Sequence, residues 1–318
     1  MFSTQQMMGL MLMLYNYEPE IVKIIEKFMT TYTFTSSEEL REAVDMWCEE
    51  ETREEAEEKY GHISYWDVSQ ITDMSNLFWD KCDFNDDISR WNVSNVTNML
   101  GMFAGAKIFN KCLDNWNVSN VTDMSWMFKG AESFNQDISS WNVSNVTDMS
   151  GMFEGAESFN QNISSWDVSN VTNMEYMFWE ANSFNQPLNN WNVSNVTDMD
   201  SMFWEAKSFN QPLNNWDVSN VKDMNRMFDR AISFNQPLSS WDVSNVTNMH
   251  SMFYECYSFN QDISSWNVSK VKDMESMFKR AYIFSQDISG WDVSNVIYKG
   301  HMFGKVNNMK EENKPVFK

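Results

Sequence analysis

Apolar and polar positions repeat along most of this chain with a period of 25 residues and in the same order each time. Trp66, Trp91, Trp116, Trp141, Trp166, Trp191, Trp216, Trp241, Trp266 and Trp291 mark the period without a slip. In the unit that starts at Trp141 the apolar positions are Trp141, Val143, Val146, Met149, Met152, Phe153, Ala156, Phe159 and Ile163. They make one wall of a core, too little for a unit that stands alone, so copies must stack on one another. The pattern predicts a repeat solenoid of about ten units over residues 61–303.

Spacing inside the unit suggests its local structure. Met149, Met152, Phe153 and Ala156 fall at i, i+3, i+4 and i+7, which predicts a short helix. Ile163–Val168 has the β-branched and aromatic content of a short strand. Pro187, Pro212 and Pro237 share one slot just before it, which must lie outside any paired strand because proline has no N–H to donate. The expected fold class is therefore an α/β repeat solenoid with one short strand and one short helix per unit. Parallel pairing would give a rise of about 4.8 Å per unit and a rod on the order of 45–50 Å.

Polar positions are patterned as strictly. Glycine holds no repeat position consistently, so the turns are expected to rest on Ser-Asn-Val-Thr side chains bonded to backbone. An asparagine follows the second Phe of each unit: Asn85, Asn110, Asn135, Asn160, Asn185, Asn210, Asn235 and Asn260. Short amides in register beside a buried Phe predict a structural ladder between units. Columns of Asp or Asn after each Trp (Asp67, Asp167) and before the first Met (Asp73, Asp148) could hold calcium. The glycine-rich loops of calcium-binding β-rolls are missing, however, and no metal or cofactor is expected.

The flanks break the rhythm. Residues 1–17 read as an apolar or flexible segment, and 18–60 as a helical cap over the first unit. Ile21, Ile24, Ile25 and Phe28 give one amphipathic helix; Ser36 and Glu39 form the capping box of a second. An acidic run follows and ends at Gly61, a natural helix stop. The last unit departs from the consensus at Ile297, Tyr298 and Lys299, with Ser285 in the ladder column. The Lys- and Asn-rich tail, 304–318, is expected to be mobile.

Charge narrows the partners. The net charge is −22, with 23 Lys and Arg against 45 Asp and Glu. This disfavours phosphate-backbone binding, which needs cations to release counterions, and adhesion to anionic bilayers. No stretch is long enough to span a membrane. An acidic surface serves solubility, with a basic partner as the second reading. Cys48, Cys82, Cys112 and Cys256 share no repeat position and form no CxxC pair, so reduced thiols are expected. No catalytic motif occurs, and His62, His250 and His301 are scattered; an enzyme is not expected.

The units SFNQDISSWNVSNVTDMSGMF and SFNQPLNNWNVSNVTDMDSMF closely resemble the BspA-like leucine-rich-repeat family in its Mycoplasma-type short-repeat form of unknown function. The resemblance covers some 240 residues. It implies a right-handed leucine-rich-repeat-like solenoid and, for bacterial members, surface display and adhesion. The family supplies no catalytic residues. N-x-[ST] sequons such as Asn117-Val-Ser recur, and would be glycosylated if the chain were exported in a eukaryote. With no evident export signal, an intracellular location is the expectation and the cell surface its alternative.

The expected function is a non-catalytic protein-interaction scaffold, monomeric, with an exported surface adhesin or glycoprotein as the alternative. Its candidate site lies at the variable positions after Met-Phe and on the preceding turn, where Trp79, Trp126, Tyr176, Trp179, Trp204 and Tyr254 stand. Large aromatics at otherwise polar sites could form a patch down one face.

Overall fold

The computed structural model describes residues 31–317; the amphipathic helix expected around Glu18–Met29 and the 1–17 segment lie outside them. From Trp66 onward each 25-residue unit closes one coil, and successive coils stack in register as a repeat solenoid. All nine apolar positions of the Trp141 unit are buried, none more than 3% exposed. Like residues fall on like residues: Phe128, Phe153, Phe178 and Phe203 form a column with ring centroids 5.5–5.8 Å apart. Burying such side chains stabilises by about 1.5–3 kcal/mol each, but only when a neighbouring coil covers them.

The expected short helix is not formed. An α-helix would bond each N–H to a carbonyl four residues back in its own coil. Instead Met149, Gly151, Phe153 and Gly155 donate to the carbonyls of Asn173, Glu175, Met177 and Trp179 in the next coil, at 2.7–3.2 Å. The alternate N–H groups of Met152, Glu154 and Ala156 close turns onto Met149, Gly151 and Phe153. Consecutive four-residue turns produce the same i, i+3, i+4, i+7 apolar spacing as a helix, which is why the pattern misled.

The expected strand is also displaced. Ile163–Val168 contains a turn, with the Trp166 N–H folded back onto the Ile163 carbonyl at 3.1 Å. Parallel pairing falls on the Asp or Asn before the first Met, as single bridges from Asp73↔Asn98 through to Asp273↔Tyr298. The aromatic and β-branched content of Ile163–Val168 reflects core filling. Each interior indole also donates its Nε1–H to a carbonyl of the preceding coil, as Trp166 does to Ile138 at 3.1 Å and Trp216 to Leu188 at 2.9 Å. The regular tryptophans thus fill the core and tie coils together, since a buried indole N–H needs a partner.

The reading of glycine needs correction too. Gly151 (φ 57°) and Gly155 (φ 65°) are left-handed at the third position of their turns, the type II signature. Other coils keep the same backbone without glycine: Trp126, Tyr176, Ser201 and Arg226 hold the first position, Glu180, Glu205 and Arg230 the second, with φ of 51–58°. Such a conformation costs about 1–2 kcal/mol for a residue with a Cβ. The ladder imposes it, because each of these residues donates its N–H to the next coil.

Polar side chains reinforce the stack. Asn160 Oδ1 accepts from the Asn185 N–H at 3.0 Å, and the relation repeats from Asn85 to Ser285. Gln186 adds a second bond to the same oxygen. The asparagine of Ser-Asn-Val-Thr, expected to bond to local backbone, reaches the preceding coil instead: Asn145 and Asn170 donate their Nδ2 groups to the Ser119 and Ser144 carbonyls. Aspartates and asparagines after Trp and before Met accept the N–H two residues on, as Asp167 does from Ser169 and Asp148 from Ser150. These contacts hold the Asp167 carboxyl below its ordinary range, with the Ser169 hydroxyl and N–H as the cause. Pro187, Pro212 and Pro237 replace such an acid at Asp137 and Asp262; both residue types initiate turns.

Both ends are closed. α1 (Ser37–Cys48) starts on Ser36, whose hydroxyl accepts the Glu39 N–H, and α2 (Arg53–Tyr60) ends at left-handed Gly61. Phe34, Leu40, Val44, Trp47 and Tyr60 continue the core beyond Trp66. Trp47 is part of this closure: its Nε1–H bonds to Asp86 at 2.9 Å, and Arg53 covers the ring while also pairing with Asp86. The tail expected to be mobile folds back instead. The Asn313 carbonyl accepts the Ile288 N–H at 3.0 Å, its amide reaches Ser285, and Met309 and Pro315 are buried.

Candidate functional site

The turns that run from Met149 to Ala156 send Met149, Met152, Phe153 and Ala156 inward. Ser150, Gly151, Glu154 and the Gly155 position are left along one outer face. In-register stacking makes columns of these positions. Residues 126, 151, 176, 201, 226 and 251 form one column, and 179, 204, 229, 254 and 279 another. All six candidate aromatics stand in these two columns.

The structure brings three of them together. Trp179 and Trp204 stack with centroids 4.5 Å apart and planes 2° from parallel. Tyr176 leans on Trp179 at 5.7 Å. Its hydroxyl faces Asp200 at 3.3 Å; burial, then Asp200 and Glu175, push its pKa up to about 12. Arg226, in the column of Tyr176, lays its guanidinium over Trp204 at 4.8 Å. The result is a continuous stack, Tyr176–Trp179–Trp204–Arg226. Both indole Nε1–H groups in it are buried without a hydrogen-bond acceptor.

Tyr254 lies across a groove of about 340 Å³ whose walls include Trp204, Arg226, Asp229, His250 and Lys279. Asp229 is 5% exposed, and its Oδ1 has no partner. Its Oδ2 lies 3.9 Å from Arg226. Burial raises its pKa to about 7, while Arg230 and Arg226 oppose the rise and Glu255 and Glu205 add to it. Arg230 pairs with Glu205 at 2.5 Å and with Glu255 at 3.5 Å, and Arg280 also pairs with Glu255.

Trp79 and Trp126 do not join this stack. Trp79 bonds to its neighbour Asp80 at 3.0 Å and lies against Gly101. Trp126 lies against Gly151, with Lys129 at 5.5 Å from its ring. The Trp126 indole occupies the space a Cβ would need on Gly151, whereas at Gly101 Asn76 Oδ1 is nearer than Trp79, 2.4 against 3.0 Å. The cationic members, Arg226 foremost, were not singled out from sequence. Their signal was available: Arg226 stands at the same variable position as Trp126 and Tyr176.

Elsewhere among the described residues, a shallow groove of about 620 Å³ is lined by Thr247, Lys270, Lys272, Ser294, Asn295, Val296 and Ile297. No group of three or more His, Cys, Asp or Glu among the described residues could hold a metal, and no helix among them is long and apolar enough to cross a membrane. Cys256 replaces alanine in an interior column, and burial raises its pKa. Cys48 and Cys82 line a pocket of about 290 Å³ under the cap, where burial raises Cys48 to about 12.

A family described as "Mycoplasma protein of unknown function, DUF285" matches three overlapping stretches, residues 48–148, 136–231 and 211–315. No curated protein is significantly similar in sequence. A solved leucine-rich-repeat protein from Leptospira interrogans is similar at 6% identity, covering 77% of this chain and 94% of that one. Its TM-score of 0.21 is too low for any argument about fold.

Proposed function

We propose that this chain, which belongs to the DUF285 family of Mycoplasma proteins of unknown function, is a non-catalytic scaffold. It binds a protein partner through the Tyr176–Trp179–Trp204 face. The observation that carries this reading is the pair of stacked, part-exposed indoles 4.5 Å apart on one face. Aromatic clusters of this kind are where interface energy concentrates. The coils around them are held by backbone ladders, so the face is presented ready-made and little ordering entropy is lost on binding.

The likeness of the repeats to BspA-like proteins supports the same reading and extends it to a surface-displayed form. Glycan additions in the intact mass of the native protein would mark that form. The central test is capture from extracts of the native source by the full chain, by Trp179→Ala/Trp204→Ala, and by Lys107→Ala as a control away from the face. Proteins lost with the double variant and kept with the control support the proposal. Identical capture by all three would remove it.

A further inference from the structure

The chain carries a net charge of −22, which taken alone points to a basic partner. The groove between Trp204 and Tyr254 has the opposite local balance. Arg226, Arg230 and Lys279 line it, and Glu205 and Glu255 are engaged by Arg230 and Arg280. Among the described residues Arg226 forms its ion pair with Asp229, at 3.9 Å, and covers the Trp204 ring. Lys279 approaches the Tyr254 ring at 5.4 Å and forms no ion pair among the described residues. The lining itself sets three cations against Asp229 alone, with Asp273 standing 3.7 Å from the lining His250, on a strongly acidic molecule.

The acid on the lining points the same way. Asp229 is 5% exposed, so the charged groups that an incoming chain meets first are Arg226, Arg230 and Lys279. Burial also favours the neutral form of Asp229. A negatively charged ligand suits these cations; a basic one finds no exposed carboxylate on the lining.

Geometry indicates an extended chain. Arg226 and Lys279 sit two coils apart, or about 10 Å at the spacing of paired strands. A peptide in the extended polyproline-II conformation rises about 3.1 Å per residue with three residues per turn, so acidic side chains three residues apart share a face, about 9 Å apart, and reach both cations. The Trp179–Trp204 stack then lies beside the peptide, open to an apolar residue. We infer that this groove takes an extended acidic peptide segment of a protein partner, with carboxylates on Arg226 and Lys279 and a flanking apolar side chain on the indole stack. The inference rests on the scaffold reading above and names the partner's chemistry.

The test uses the full chain and short fluorescein-labelled peptides with Glu, Gln or Lys at every third position around a central Leu, read by anisotropy. The Glu peptide should bind, and should weaken roughly tenfold or more between about 0.05 and 0.5 M salt. Arg226→Gln/Lys279→Gln should weaken it by a similar factor; because Arg226 also offsets the charge of buried Asp229, the variant's fold is checked near pH 4.5, where a cooperative melt should persist. Equal binding of the Glu and Gln peptides, preference for the Lys peptide, or indifference to the double variant would each overturn the inference. So would complete displacement by millimolar inorganic phosphate, which would mark a small-anion site. If the Glu peptide fails while capture from native extract still depends on Trp179 and Trp204, only the acidic partner is wrong. If that capture is also indifferent to the indoles, the scaffold face falls with it.

Discussion

The indoles of Trp179 and Trp204 lie 4.5 Å apart and parallel to within 2°, closer than the interior tryptophans Trp216 and Trp241, at 6.4 Å. Interior spacing is shared with phenylalanine rings that pack against each indole, as Phe203 does against Trp216. The surface pair has no such constraint and closes to direct stacking distance. Its two members should also matter differently to stability. Trp204→Ala loses one stacking face and partial burial, about 1–2 kcal/mol. Trp191→Ala empties a fully packed site and removes one of the two bonds to the Ile163 carbonyl, its Nε1–H at 3.1 Å, leaving that from the Trp166 N–H. That should cost roughly 3–5 kcal/mol. Urea melts of the two variants should differ in midpoint in that order; equal midpoints would contradict the division between surface and interior tryptophans.

The amide ladder gives a second expectation. Asn160 Oδ1 accepts both the Asn185 N–H and the Gln186 amide, each at 3.0 Å. Asn160→Ala leaves both donors half-buried and unpaired and should destabilise by about 1–3 kcal/mol. At the end of the ladder Ser285 is met by Asn313 from the tail, where solvent can replace a lost bond. Asn313→Ala should therefore cost clearly less than Asn160→Ala in the same denaturant titration.

The period, the nine-residue core and the amide column were legible because each depends on residue type at a fixed interval. The route of the backbone was not, because apolar spacing is shared by a helix and by consecutive turns. Only the destination of the Gly151 and Phe153 N–H groups, toward Glu175 and Met177, separates the two. The aromatic site was legible as six residues at variable positions. Its division into the Tyr176–Trp179–Trp204 cluster and the isolated Trp79 and Trp126 was not, since it depends on which glycine or arginine follows one coil later. Arg226 over Trp204 is such a cross-coil pairing, invisible along the chain but fixed by the 25-residue register.

Gly151 and Trp126 should be energetically coupled. A Cβ on Gly151 would lie 2.2 Å from Trp126 Cδ1, and its backbone is already left-handed at φ 57°. Gly155 has the same handedness, but a Cβ there meets only Gly130, at 3.5 Å. Gly155→Ala should cost about 1–2 kcal/mol, the conformational term alone. Gly151→Ala should cost more, and Trp126→Ala should recover the excess. A double-mutant cycle on Gly151 and Trp126 should return a coupling above about 0.5 kcal/mol; additive effects would mean that the indole simply moves aside.

Asp229 should make stability depend on pH in a predictable direction. Its folded-state pKa is raised to about 7 by burial, against about 3.9 in the unfolded chain. Between those values the folded state holds a proton that the unfolded state has released. Stability from this group is therefore lost as pH climbs from about 4 to about 7, and the deficit is constant above that. Arg226 and Arg230 reduce the deficit and Glu205 and Glu255 enlarge it, so the net cost of ionisation is of order 2–4 kcal/mol. Asp229→Asn keeps the shape and abolishes the titration. The variant should match the parent near pH 4.5 and melt at a higher temperature at pH 8. A melting difference that stays the same at both values would show that Asp229 ionises freely in the folded groove.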